Sequence, residues 1–168
     1  MPSLDLKDGA KIHYEVHGEG EPVIFLNGIM MNTMSWLAFI PVLSKRFKLI
    51  LVDFRDQGQS SRMQEECGPD IHVGDVVSLL DELNIPKLHM MGVSYGGAVA
   101  LRFALHHQKR MKSLCLFNTA SLVSNHLLEI GKAWETAAEL NDGARFFQLA
   151  VPFIYSEPFY ETNLDFLK

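Results

Sequence analysis

Residues 92–97 read Gly92-Val93-Ser94-Tyr95-Gly96-Gly97, a serine set among glycines where an apolar run ends. The run before it, Lys87-Leu88-His89-Met90-Met91, is short and mostly apolar, as a buried strand is. The residues after it, 97–105, are apolar enough for a buried helix. A strand that turns abruptly into a helix around G-x-S-x-G pushes the serine oxygen out above the sheet. There a base can take its proton, and the N-terminus of the helix favours the negative charge that develops. So tight a bend has no room for bulky neighbours, which explains Gly92 and Gly96. A simpler reading is an ordinary strand-to-helix turn with Ser94 as the N-cap.

Three further segments supply the elements that would hold such a serine in place. Val23-Ile24-Phe25-Leu26 is an apolar run ending in Asn27-Gly28-Ile29, with a helix-like stretch expected over 36–45. Lys48-Leu49-Ile50-Leu51-Val52 is another, ending in Asp53-Phe54-Arg55-Asp56-Gln57-Gly58-Gln59-Ser60. The third is Lys112-Ser113-Leu114-Cys115-Leu116-Phe117-Asn118, in which Cys115 reads as a small core residue. Upstream, Asp8-Gly9 is a two-residue turn signal between alternating strands. Between them, a helix is predicted over 71–83, with Asp70 as its N-cap and Val73, Val76, Val77, Leu80 and Leu83 as its apolar face. Alternating strands and helices imply a mainly parallel, doubly wound sheet with flanking helices, an α/β fold. After Asn118 the strand patterns cease. Helices are predicted over 127–140, carrying Trp134, and over 144–151, followed by Phe153, Tyr155, Phe159, Tyr160 and Phe166.

In that order, strand plus NG, strand plus DxRxxGxS and strand plus GxSxGG, the chain resembles the α/β-hydrolase superfamily. The group it resembles comprises cap-bearing esterases, enol-lactonases and cofactor-free haloperoxidases. The resemblance runs from about Gly9 to Asn118. It implies that Ser94 is a nucleophile and that the backbone N–H groups of Ile29 and Tyr95 form an oxyanion hole. Gly28, Gly92, Gly96 and Gly97 would then shape its turns. Relatives usually carry a histidine where this chain has Asn27. The resemblance makes Asp53 and Arg55 structural. It divides the chain into residues 1–120, the N-terminal part of an incomplete hydrolase core, and 121–168, the start of a helical cap. Trp134, Phe146, Phe147 and Phe159 would serve equally as packing or as pocket wall.

The superfamily orders its triad as serine, acid and histidine along the chain. Three histidines follow Ser94: His106, His107 and His126. The first two fall on the elbow helix, roughly 18–20 Å from the serine at the helical rise. His126 precedes the first cap helix. His13, His17, His72 and His89 lie upstream and read as rim or satisfied core residues. The acid and the base are therefore expected outside this chain. The last strand would be left with an unpaired apolar edge. A missing part is expected, as a second chain, a further segment or an element exchanged between copies.

Composition narrows the function classes. The 168 residues are 48% hydrophobic and 21% charged, as in an ordinary globular domain with a real core. A net charge of −5 without a basic cluster argues against nucleic acid as a partner. Residues 23–43 lack charge over a length that could span a bilayer, but Asn27, Gly28, Asn32, Thr33, Ser35 and Pro41 interrupt them, so no membrane partner is expected. Met1-Pro2-Ser3-Leu4-Asp5 lacks a basic segment followed by an apolar one, so no signal peptide is expected; with two cysteines too few for a disulfide framework, a cytoplasmic protein is expected. Neither a metal nor a cofactor is implied. The leading expectation is a serine hydrolase acting on a small-molecule ester, lactone or thioester, with this chain alone inactive. The competing one is a catalytically incompetent hydrolase-like fragment, or a binding or signalling protein.

Overall fold

The computed structural model describes residues 2–65 and 67–167. The side chain of Phe166 lies outside the described residues. Six strands form one sheet: β1 (Ser3–Asp5), β2 (Lys11–His17), β3 (Glu21–Leu26), β4 (Phe47–Val52), β5 (Leu88–Val93) and β6 (Met111–Phe117). Their spatial order is β1-β2-β4-β3-β5-β6. The pairs β4–β3, β3–β5 and β5–β6 are parallel, while β1 and β2 join antiparallel at one side. The helices of this part are α1 (Ile40–Leu43), α2 (Asp70–Glu82) and α3 (Tyr95–His107). This is the expected α/β architecture.

Alternation along the central strands divides the core. Ile24, Leu26, Ile50 and Val52 face one layer, with Val76, Leu79 and Leu80 of α2 and Val99 and Phe103 of α3. Phe25, Leu49 and Leu51 face the other, with Trp36. Both faces are covered, so β3 and β4 are almost wholly apolar, as buried parallel strands are.

Several boundaries differ from the sequence expectations. The connection from β1 to β2 is a five-residue loop, closed by Leu6 N–H donating to the Ala10 carbonyl at 2.8 Å. The helix expected over 36–45 is two short pieces, a 3-10 turn over Thr33–Trp36 and α1. Asn32 starts the first, its Oδ1 accepting from Met34 N–H at 3.0 Å, and Pro41 sits in the first turn of the second. Pro69, not Asp70, holds the N-cap position of α2, because its fixed φ of −58° starts the helix one residue early. Asp70 is the first helical residue, where its charge still meets the positive end of the dipole. Cys115 is exposed. It lies on β6, the edge strand of the sheet, whose Leu116 and Phe117 are exposed too.

Contacts divide the chain between Ser121 and Leu122. The second unit holds α4 (Asn125–Glu139), α5 (Gly143–Ala150), α6 (Glu157–Thr162) and α7 (Leu164–Leu167). Ser124 caps α4 through Leu127 N–H, and Asp142 caps α5 through Arg145 N–H, both at 3.2 Å. Tyr155 and Phe159 stack with ring centres 5.0 Å apart. His126 lies within α4, not before it.

His72 is a core histidine, but not a satisfied one. It is 2% exposed, packs against Phe54 at 4.7 Å and Tyr95 at 5.7 Å, and its Nδ1 has no hydrogen-bond partner. Burial pushes its pKa below the ordinary 6.5, against the opposing pull of the Asp75 carboxylate; the Arg55 cation reinforces the burial. The unfolded chain therefore binds this proton at a higher pH than the folded one. The contribution is fully present above 6.5 and is lost as pH falls below it. Between pH 7.5 and 5.5 the parent should lose more stability than His72→Phe in urea titrations. Equal losses would show that the ring is not held neutral.

Candidate active site

The bend after β5 is a strained one. Ser94 has φ +52° and ψ −116°, a region that costs a non-glycine residue about 1–3 kcal/mol. Its backbone is held there by four hydrogen bonds. Ser94 N–H donates to the Phe117 carbonyl at 2.9 Å. The Ser94 carbonyl accepts from Gly97 N–H at 3.0 Å, from Ala98 N–H at 3.3 Å and from Thr119 Oγ1 at 2.8 Å. The side chain makes no capping bond to α3 and is exposed. That geometry disfavours the plain N-cap reading: the hydroxyl is presented, not used.

The glycines are there because other atoms already fill the space, backbone at Gly92 and Gly96 and a side chain at Gly97. A Cβ on Gly92 would stand 2.6 Å from the Gly96 carbonyl oxygen. One on Gly96 would stand 2.2 Å from the Leu26 oxygen, and one on Gly97 2.6 Å from the Thr119 side chain. Close packing of α3 onto the ends of β3 and β5 therefore depends on Gly92 and Gly96, and its approach to the segment after β6 on Gly97.

The loop after β3 comes directly to this bend. A Cβ on Gly28 would lie 3.3 Å from the Ser94 Cβ. Gly28 N–H donates to Met31 Sδ at 3.2 Å, and Ile29 is 55% exposed. Among the described residues, neither Ile29 N–H nor Tyr95 N–H donates to a partner. Gly28, next to Ile29, approaches the bend at Ser94, and Tyr95 follows Ser94 directly. The Tyr95 ring turns inward against Phe54 and His72, and burial raises its phenol pKa, so it stays protonated and is no base.

Asn27 has no exposed surface and is structural. Its Oδ1 accepts from Trp36 Nε1 at 2.7 Å, and its Nδ2 donates to the Val52 carbonyl at 2.8 Å. Asp53 is buried and receives Thr33 N–H at 2.7 Å and Gln59 N–H at 3.0 Å, which closes the loop after β4. Arg55 grips Asp75 through two bonds of 2.8 Å. Sequence reading missed Gln57, whose Nε2 donates to the Gly28 carbonyl at 2.9 Å, and Thr119. The only pointer to Gln57 was its place within the DxRxxGxS turn.

No histidine of the described residues bonds to Ser94. His13 and His17 face Glu15, at 3.4 and 2.8 Å. His106 and His107 close α3. His89 Nδ1 lies 2.7 Å from Ser113 Oγ, near the start of β5 rather than its end. Among the described residues no helix is long and apolar enough to cross a membrane.

Comparison with known proteins bears on the family and the fold. A family model described as the alpha/beta hydrolase fold matches residues 21–155. The 2-hydroxy-6-oxo-6-phenylhexa-2,4-dienoate hydrolase of Comamonas testosteroni is 30% identical, over 90% of this chain and 50% of its own length. The 3-oxoadipate enol-lactonase 2 of Acinetobacter baylyi is 28% identical, over 83% of this chain and 53% of its own. Among solved structures, MGS-M2, an alpha/beta hydrolase enzyme from a Medee basin deep-sea metagenome library, superposes with a TM-score of 0.95. It is 33% identical, and the match covers 99% of this chain and 62% of that one. The chain spans about half the length of the curated relatives it matches.

Proposed function

The chain belongs to the alpha/beta hydrolase fold family, and we propose that it supplies the nucleophile and oxyanion hole of a serine hydrolase acting on a small ester, lactone or thioester. The observation that carries this reading is the exposed Ser94 at φ +52°, beside the Gly28 loop and at the N-terminus of α3. A histidine outside these residues, oriented by an acid also outside them, takes the hydroxyl proton as Oγ attacks the acyl carbon. The carbonyl oxygen becomes an oxyanion and is held by the N–H groups of Ile29 and Tyr95. The leaving alcohol or thiol departs with that proton, and water then hydrolyses the acyl-enzyme. Residues from Leu122 on begin a helical cap. The edge strand β6, with Leu116 and Phe117 exposed, suits pairing with further strands. Cys67 and Cys115 are both free, which suits a reducing cytoplasm.

The test is covalent labelling of the full-length protein. A fluorophosphonate is expected to modify Ser94, mapped by peptide digestion, and labelling should track hydrolysis of p-nitrophenyl acetate. A folded protein that neither labels nor hydrolyses would favour the binding or signalling alternative.

A further inference from the structure

We infer that Gln57 is the positioning residue of the oxyanion hole, setting the direction of Ile29 N–H through the Gly28 carbonyl; this rests on the serine-hydrolase reading above. The argument starts from hydrogen-bond polarity. Trp36 Nε1 can only donate, so the atom of Asn27 it reaches at 2.7 Å is Oδ1. The Val52 carbonyl can only accept, which independently fixes Nδ2 of Asn27 on that side, at 2.8 Å. The same Nδ2 lies 3.1 Å from Gln57, which must therefore offer Oε1. Phe54 N–H, again only a donor, meets Oε1 at 3.2 Å. Gln57 is left with Nε2 facing the Gly28 carbonyl oxygen, at 2.9 Å. Every orientation in this relay is forced by a neighbour with a single possible role.

The consequence follows from peptide planarity. In a trans peptide the carbonyl of one residue and the N–H of the next point in opposite directions, and the described residues contain no cis peptide. Gln57 stands in the loop after β4, and Ser94 follows β5. In the sheet, β3 lies between β4 and β5. Drawing the Gly28 carbonyl toward Gln57 therefore turns Ile29 N–H toward the β5 side, where the Ser94 hydroxyl stands. Met31 N–H, at 3.3 Å from the same oxygen, adds a weaker second hold. An oxyanion donor is effective because it is aimed before the reaction begins, and Gln57 does the aiming.

The test uses Gln57→Glu and Gln57→Met in the full-length protein. Glutamate keeps the shape but sets an acceptor against a carbonyl; methionine keeps the bulk and donates nothing. Loss of a whole oxyanion donor costs on the order of 10²–10³ in rate, so a misaimed one is expected to cost about 10- to 100-fold in kcat and in fluorophosphonate labelling rate. KM should stay within about twofold, because uniform binding is untouched, whereas Tm should fall in Gln57→Met, which leaves Phe54 N–H and the Gly28 carbonyl without this partner. For Gln57→Glu the deficit relative to the parent should shrink as pH falls, since a protonated carboxyl regains a donor. A merely structural role gives no such recovery. Folded variants with kcat within about threefold of the parent, or with a raised KM and unchanged kcat, overturn the inference. If Gln57→Glu does not fold, Gln57→Met decides. A parent that neither labels nor hydrolyses overturns the underlying reading, and this inference with it.

Discussion

Replacing Ser94 with glycine should stabilise the full-length protein while abolishing its reaction with a fluorophosphonate. The two effects share one cause. At φ +52° and ψ −116° the serine backbone holds strain worth about 1–3 kcal/mol, retained because the bonds to Phe117, Gly97, Ala98 and Thr119 over-determine it. Glycine adopts that conformation without steric cost, though it gives back part of the gain as chain entropy. Alanine keeps the strain and loses only the hydroxyl. Ser94→Gly should therefore be more stable than Ser94→Ala by about 1 kcal/mol, read as a higher denaturant midpoint. Both should lose activity by roughly 10⁴-fold or more, as other enzymes do without their nucleophile. A glycine variant no more stable than the alanine one would show that the bend is unstrained.

The largest loss of stability is expected at Gly96. The methyl group of Gly96→Ala would meet the backbone oxygens of Leu26 and Asn27, at 2.2 and 2.6 Å. Those atoms belong to β3 and the loop after it, so no flexible side chain can yield. Either α3 lifts from the sheet or the Gly28 loop moves, and both destroy the packing that positions the hydroxyl. A loss of about 3 kcal/mol is expected, at the upper end for overpacking. Gly131→Ala is the control. It sits in the interior of α4 with nothing within 4 Å of a new methyl group, and should gain about 0.5–1 kcal/mol. Urea unfolding of the two variants measures both. A Gly96→Ala protein as stable as the parent would mean the close approach is not needed.

What could be read from the chain was what neighbouring residues decide among themselves. The strand, bend and helix around Ser94 are local, and their glycines announce the crowding. The apolar runs at β3 and β4 declare themselves as buried parallel strands because both faces are covered. Alternation within a strand suggests a core place for Cys115 but says nothing about where that strand lies in the sheet, and β6 lies at its edge. The cap of α2 moved because proline, which offers no acceptor, still starts a helix by its fixed φ. The sequence suggests a satisfied His72, since no spacing rule reveals that a buried ring nitrogen lacks a partner. The relay through Trp36, Asn27 and Gln57 joins residues from separate loops, up to thirty positions apart, and only the fold brings them together.

The most direct test is a crystal structure of the full-length protein phosphonylated on Ser94. The phosphoryl oxygen stands in for the oxyanion. It should lie about 2.7–3.1 Å from the backbone nitrogens of both Ile29 and Tyr95, with Gln57 still bonded to the Gly28 carbonyl. An adduct on another residue, or a phosphoryl oxygen turned to solvent away from those two amides, would contradict the account.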